Sequence, residues 1–91
     1  MAGGDDLLPL CQEALARCLA LEAAYPRLPV LGSVVGQLYY LIDLETGVTA
    51  DRSGLDRIIL GVQAAREIEA LDLPTANLLH EISALLRRPN A

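Results

Sequence analysis

The stretch PVLGSVVGQLYYLIDLETG, residues 29–47, decides the fold. Its apolar residues return every three or four positions, so that Leu31, Val34, Val35, Leu38, Leu41 and Ile42 make one stripe. That is the period of an α-helix, whereas a strand would alternate at every second position. The opposite face carries Ser33, Gly36, Tyr40 and Asp43, with Gln37 and Tyr39 on the flanks. Gly47 is placed to stop the helix, and the spacing predicts helix over residues 29–46. Two small residues beside Tyr40 leave room for something to pack close to that face.

The same period extends towards the N-terminus. Over residues 5–24, Leu7, Leu8, Leu10, Cys11, Ala14, Leu15, Cys18, Leu19 and Leu21 fall on one broad face. Gln12, Glu13, Ala16, Arg17 and Ala20 fall on the other. Pro9 suits a first turn, where a missing N–H has no helical partner to lose. Pro26 and Pro29 lie too close together for this helix to pass them.

Towards the C-terminus, Ser53 with Asp56 three residues later reads as a variant capping box that opens a third helix from about residue 54 to 71. Its apolar positions are Leu55, Ile58, Ile59, Leu60, Val62, Ala64, Ala65, Ile68 and Leu71. They wrap most of the circumference, the pattern of a central helix covered on more than one side. Asp56, Gln63 and Glu67 line the narrow polar remainder. Asp72-Leu73-Pro74-Thr75 is a stop and a restart. Leu78, Leu79, Ile82, Leu85 and Leu86 then make a fourth helix, ended by Arg88-Pro89, with Arg87 and Arg88 complementing its dipole. Short loops favour antiparallel neighbours. The expected fold is all-α: a compact antiparallel bundle of about four helices in a single domain, residues 1–91.

Composition agrees. Hydrophobic residues make up 53 % of the chain and are nearly all Leu, Ala, Ile and Val, with three Tyr and no Phe or Trp. That supply is enough for one core without disulfides or metals. The formal charge is −5, from twelve carboxylates against seven Arg and no Lys. Such a chain lacks the basic footprint that nucleic acid or an anionic membrane surface requires. It suits a basic partner instead. Cys11 and Cys18 are two turns apart on one helix, about 10 Å along its axis, too far for a bond within it. They read as small core residues of a reducing compartment. No run approaches the roughly 20 apolar residues of a membrane span. The acidic start, Met1 to Asp6, lacks the basic beginning of a signal peptide, so the expected location is the cytoplasm.

Chemistry is hard to place on this chain. His80 is the only histidine and falls on the polar face of the fourth helix, and neither cysteine has the spacing of a zinc ligand. No catalytic residue, metal or cofactor is expected. Asp51-Arg52-Ser53-Gly54-Leu55 is a distorted echo of the carrier-protein phosphopantetheine site, but Ser53 reads better as a plain cap. A helical chorismate mutase would need several cationic side chains for its dicarboxylate, which a Lys-free acidic chain supplies poorly. The chain reads as a protein that binds another protein, not as an enzyme.

One pattern is more specific. Gln37-Leu38-Tyr39-Tyr40-Leu41 is followed by Asp51-Arg52-Ser53-Gly54-Leu55-Asp56-Arg57-Ile58, then by Leu60-Gly61 with Ala64 and Glu67. Across residues 31–86 the chain resembles a family of small all-helical type VI secretion immunity proteins that neutralise an NAD(P)+ glycohydrolase effector toxin. The D-R-S-x-L-x-R and L-G-x-x-A-x-x-E spacings carry most of the resemblance. It implies an antitoxin that binds the cognate toxin domain of a secreted effector and blocks its active site. The expected partner-binding residues are Tyr40, as an amphipathic anchor beside Gly36 and Ser33, with Asp43, Asp56, Gln63 and Glu67. The alternative is a homodimeric helical adaptor or antitoxin with no catalytic activity, and the free protein is expected as a monomer or a weak homodimer.

Overall fold

The computed structural model describes residues 4–87, with side chains from Leu7 onward. The first three residues of the acidic start Met1 to Asp6, and the Arg88-Pro89 stop, lie outside the described residues. Helix α1 spans Gly4–Ala24, α2 Pro29–Thr46, α3 Leu60–Gln63 and α4 Leu73–Arg87. A 3₁₀ turn, Leu55–Arg57, precedes α3, and a π-helical turn, Ala64–Ile68, continues it. No strand occurs among the described residues, and the all-α expectation holds.

Each helix buries the stripe that its period defines. On α1 the fully covered positions are Cys11, Ala14 and Cys18, at helical spacing, with Leu7 beside them. On α2 they are Leu31, Val34, Leu38 and Leu41, and on α4 Ala76, Leu79 and Ile82. Burying one such Leu or Ile stabilises the fold by about 1.5–3 kcal/mol before the entropy of ordering it is subtracted. Helix α1 packs on both α2 and α4, while α3 and its π turn close the ring by lying on α4 and touching α2. At 21 residues, α1 runs about 32 Å, in a molecule whose longest extent is 38 Å. Pro9 sits in the second turn of α1, not the first, and is exposed.

The ends of α2 follow their residues. Pro29 takes the first position, and Gly47 adopts φ +83°, donating its N–H to Leu44 O. Only glycine enters that left-handed region without a Cβ penalty, which makes it the stop. At the start of α4, the half-buried Asp72 accepts a hydrogen bond from the buried Thr75 hydroxyl, placing a carboxylate where the helix dipole favours one.

The third element departs from the expected single helix. Only Leu60, Ala64 and Ile68 are buried, at spacings of four. Ile59 and Val62, expected in the core, are 48 % and 53 % exposed. This is a peripheral element with one buried face, not a central helix. A single narrow stripe cannot cover three consecutive apolar residues such as Ile58-Ile59-Leu60, because they fan across more than half of a helical turn. The fold keeps Leu60 inside and breaks the helix ahead of it. Gly61 lets α3 approach α4 closely: a Cβ there would lie 2.7 Å from Ser83 Oγ.

No described helix is long and apolar enough to cross a membrane. Cys11 and Cys18 are both free and buried. Burial first, then the charge of Glu45, pushes the Cys11 thiol up to about 12. Burial, then Asp72 and Glu22, pushes Cys18 up to about 11. The fold therefore holds both as neutral thiols, and their contribution to stability is lost as pH climbs from 9.0 towards those values. Both should react with a disulfide reagent such as DTNB only at the rate of global opening at pH 8, and within seconds in urea. Rapid labelling of the native protein would show that α1 is not held against the core as described.

Candidate functional site

The outward edge of α2 does not lie open. Tyr40 is half-buried, and its hydroxyl donates to the Asp51 carbonyl at 2.7 Å while accepting the Gly54 N–H at 3.1 Å. The packing partner that the small residues beside Tyr40 suggested is Gly54: a Cβ there would sit 3.0 Å from the Tyr40 ring. At Gly36 itself a Cβ would meet nothing within 4 Å. Tyr40 thus pins the loop between α2 and the 3₁₀ turn from one side.

One turn earlier on α2, Gln37 holds the next stretch. Its Oε1 accepts the Ile59 N–H at 2.8 Å, and its Nε2 donates to Gln63 Oε1 at 2.7 Å. Gln63 Nε2 in turn donates to Ser33 Oγ at 3.0 Å. An N–H at the start of a helix has no partner within that helix. Here the acceptor comes from another helix, so Gln37 caps α3 from outside. Ser33, Gln37 and Tyr40 form a polar seam between α2 and residues 51–63.

The capping box expected at Ser53 is not formed. The 3₁₀ turn has no side-chain cap, and the acceptor is Asp51, whose Oδ1 takes the Ser53 N–H at 3.0 Å. The Ser53 hydroxyl, and then its backbone N–H, hold the Asp51 carboxyl below the usual carboxylate range. The folded state is favoured by this while Asp51 is charged, and the contribution fades as pH falls below 3.8. Asp competes with Ser for such turns because its carboxylate accepts an N–H two residues ahead.

The five residues expected at a partner surface fall into three groups. Tyr40 and Gln63 belong to the seam. Asp43 is half-buried on α2, one turn beyond Tyr40, and its carbonyl accepts the Thr49 N–H. Asp56, in the 3₁₀ turn, and Glu67, in the π turn, are exposed. Among the described residues Arg17 pairs with Glu13 at 3.5 Å, and His80 Nε2 is hydrogen-bonded with Glu69 Oε2 at 2.8 Å. Neither Asp56 nor Glu67 has a cation within 4 Å among those residues, and Arg52, Arg57 and Arg66 have no carboxylate there. Among the same residues no group of three or more His, Cys, Asp or Glu side chains comes together to hold a metal.

Two features escaped the sequence reading. Gln37 looked like a flanking residue, and nothing in a helical period tells that its amide reaches a backbone 22 positions later. The exposed pair Ile59 and Val62 had a signal, the crowding of apolar residues over 58–62, but not one that says which of them turns outward.

In comparison with known proteins, the model of the type VI secretion immunity family Tsi6 matches residues 6–88 of the 91. The match takes in α1 as well as the 31–86 stretch whose motifs carried the resemblance. Comparison with curated proteins and with solved structures gives no match.

The seam makes a direct prediction. Tyr40→Phe keeps the ring against Gly54 but removes both hydrogen bonds, and should cost about 1–2 kcal/mol in urea unfolding. Ser53→Ala, at an exposed turn position, should stay within about 0.5 kcal/mol of the parent. The reverse order would return the capping role to Ser53.

Proposed function

The chain belongs to the Tsi6 family of type VI secretion immunity proteins, and from that membership we propose that it binds the toxin domain of a cognate secreted effector and covers its active site. It works by occupancy and carries no catalytic step of its own. The family match over residues 6–88 is the observation that carries this reading. The toxin we propose is an NAD(P)+ glycohydrolase, on the strength of the Asp51–Arg57 and Leu60–Glu67 motifs. An enzyme that takes a dinucleotide can hold its pyrophosphate with cationic groups. A chain of net charge −5 is attracted to such a surface and oriented by it. Its place of action is the cytoplasm, where the NAD(P)+ to be protected lies.

The proposed contact residues divide by what each is free to do. Asp56 and Glu67, exposed and without a cation nearby in their own chain, pair with Arg or Lys of the toxin. Tyr40 and Gln63 act by holding the segment that presents those carboxylates. Asp43 contributes negative charge from α2.

Co-expression with the toxin domain encoded by the neighbouring effector gene should restore growth, and the purified pair should elute as one complex. The double change Asp56→Arg with Glu67→Arg should abolish that protection, since an unpaired interfacial charge costs about 2–5 kcal/mol. Its melting temperature should hardly move, because exposed positions change folding by only about 0.5 kcal/mol. A toxin that keeps full activity with saturating amounts of the wild-type chain would rule out occlusion.

A further inference from the structure

We propose that residues 48–59 form a strap that opens as one unit while α1, α2 and α4 stay folded, with the Tyr40 hydroxyl as its latch.

Burial marks the limits of the strap. No residue from Ile42 to Ile59 is buried, and the covered stripe resumes only at Leu60. Leu55 and Ile58 rest half-buried on the core, and Val48 is 74 % exposed. Segments with few buried apolar contacts open at a free energy well below that of global unfolding.

Hydrogen bonding divides along the same line. Within the strap, the Ser53 N–H meets Asp51 Oδ1 at 3.0 Å. The Leu55, Arg57 and Ile58 N–H groups meet the carbonyls of Arg52, Gly54 and Leu55. These bonds travel with the segment when it moves, which makes it a unit. Helix α2 holds it at both ends and, between them, only through Tyr40. At the near end the Thr49 N–H meets the Asp43 carbonyl at 3.2 Å, beside Gly47, whose φ of +83° makes the hinge. At the far end Gln37 holds the Ile59 N–H where α3 begins. In the middle the Tyr40 hydroxyl takes the Gly54 N–H and donates to the Asp51 carbonyl. Gly54 is shaped for this contact, since a Cβ there would sit 3.0 Å from the Tyr40 ring. Among the described residues no ion pair joins the strap to the helices.

The loop between α1 and α2 is built otherwise. There the Tyr25, Leu28 and Leu31 N–H groups meet the carbonyls of Leu21, Tyr25 and Leu28, so backbone alone closes it. The strap instead depends on one hydroxyl for its middle. Opening it releases Asp56 and the Asp51–Arg57 motif from α2 at no cost to the core. The inference does not rest on the immunity reading, but gives it a segment that can refit to a toxin surface without unfolding the rest.

The test is amide hydrogen exchange, followed residue by residue by NMR across a low-urea series, on the wild type, Tyr40→Phe and Cys18→Ala. In the wild type the Gly54 and Ile59 N–H groups should exchange at least about 100-fold faster than those of Leu38 and Leu79 in mid-helix, at rates that urea hardly changes. Tyr40→Phe should speed Gly54 about tenfold. Cys18→Ala thins the buried stripe of α1, so it should speed Leu38 and Leu79 several-fold and leave Gly54 and Ile59 unchanged. Gly54 and Ile59 quickening in step with Leu79, in Cys18→Ala or with urea in the wild type, would overturn the proposal, because the segment would then open only with the whole molecule. Exchange of Gly54 at the rate of an unstructured peptide would also overturn it, since no latch would be closed. An unchanged Gly54 rate in Tyr40→Phe would remove Tyr40 as the latch.

Discussion

The backbone N–H of Ile59 needs an acceptor that its own segment does not provide, and Gln37 Oε1 supplies it from α2 at 2.8 Å. Much of the molecule follows from that bond. With it, α3 can begin at Leu60 and bury Leu60, Ala64 and Ile68 on the core. The second arm of the same amide meets Gln63 at 2.7 Å, so the first turn of α3 is fixed at both ends by one side chain. Tyr40, one turn further along α2, does the same for the loop at Asp51 and Gly54. Helix α2 therefore has two roles on two faces. Its apolar stripe packs on α1, and its polar edge organises a segment too short and irregular to be stable alone.

This division explains what the sequence could and could not tell. Helices α1, α2 and α4 each carry one apolar stripe between clear stops, and their spans were legible, with α2 expected at residues 29–46 and found at Pro29–Thr46. The third element was misread because it holds more apolar residues than its single buried face can take. Hydrophobicity ranks Ile59 with Ile68, yet one is half exposed and the other fully covered. The difference lies in contacts from a distant helix, which no local period contains. At the site the same limit applied. Asp56 and Glu67 were recognisable as polar-face residues and are exposed, whereas Tyr40 and Gln63 looked available and are engaged within the chain. Ser53 marked a real turn, but Asp51 is the residue that closes it.

The motif that resembles an immunity protein covers the same ground as the seam. Gln37 and Tyr40 supply the α2 side, and the D-R-S-x-L-x-R and L-G-x-x-A-x-x-E runs supply the segment it holds. Much of that motif has structural work. Asp51 closes the turn, Gly54 admits the Tyr40 ring, Gly61 admits Ser83, and Leu60 and Ala64 fill the core. What remains facing outward is Arg52, Ser53, Asp56, Arg57, Ile59, Val62, Ala65, Arg66 and Glu67. In the reading proposed here, that outward set meets the toxin and the inward set keeps it in register.

Hydrogen–deuterium exchange, measured on the chain alone and saturated with the toxin domain, tests this account most directly. It reports on every segment of the unmodified protein at once. The account predicts that the largest gain in protection falls on residues 56–67, with the outer faces of α1 and α4 little changed. Protection concentrated on α1 or α4, with residues 56–67 exchanging as in the free chain, would contradict it.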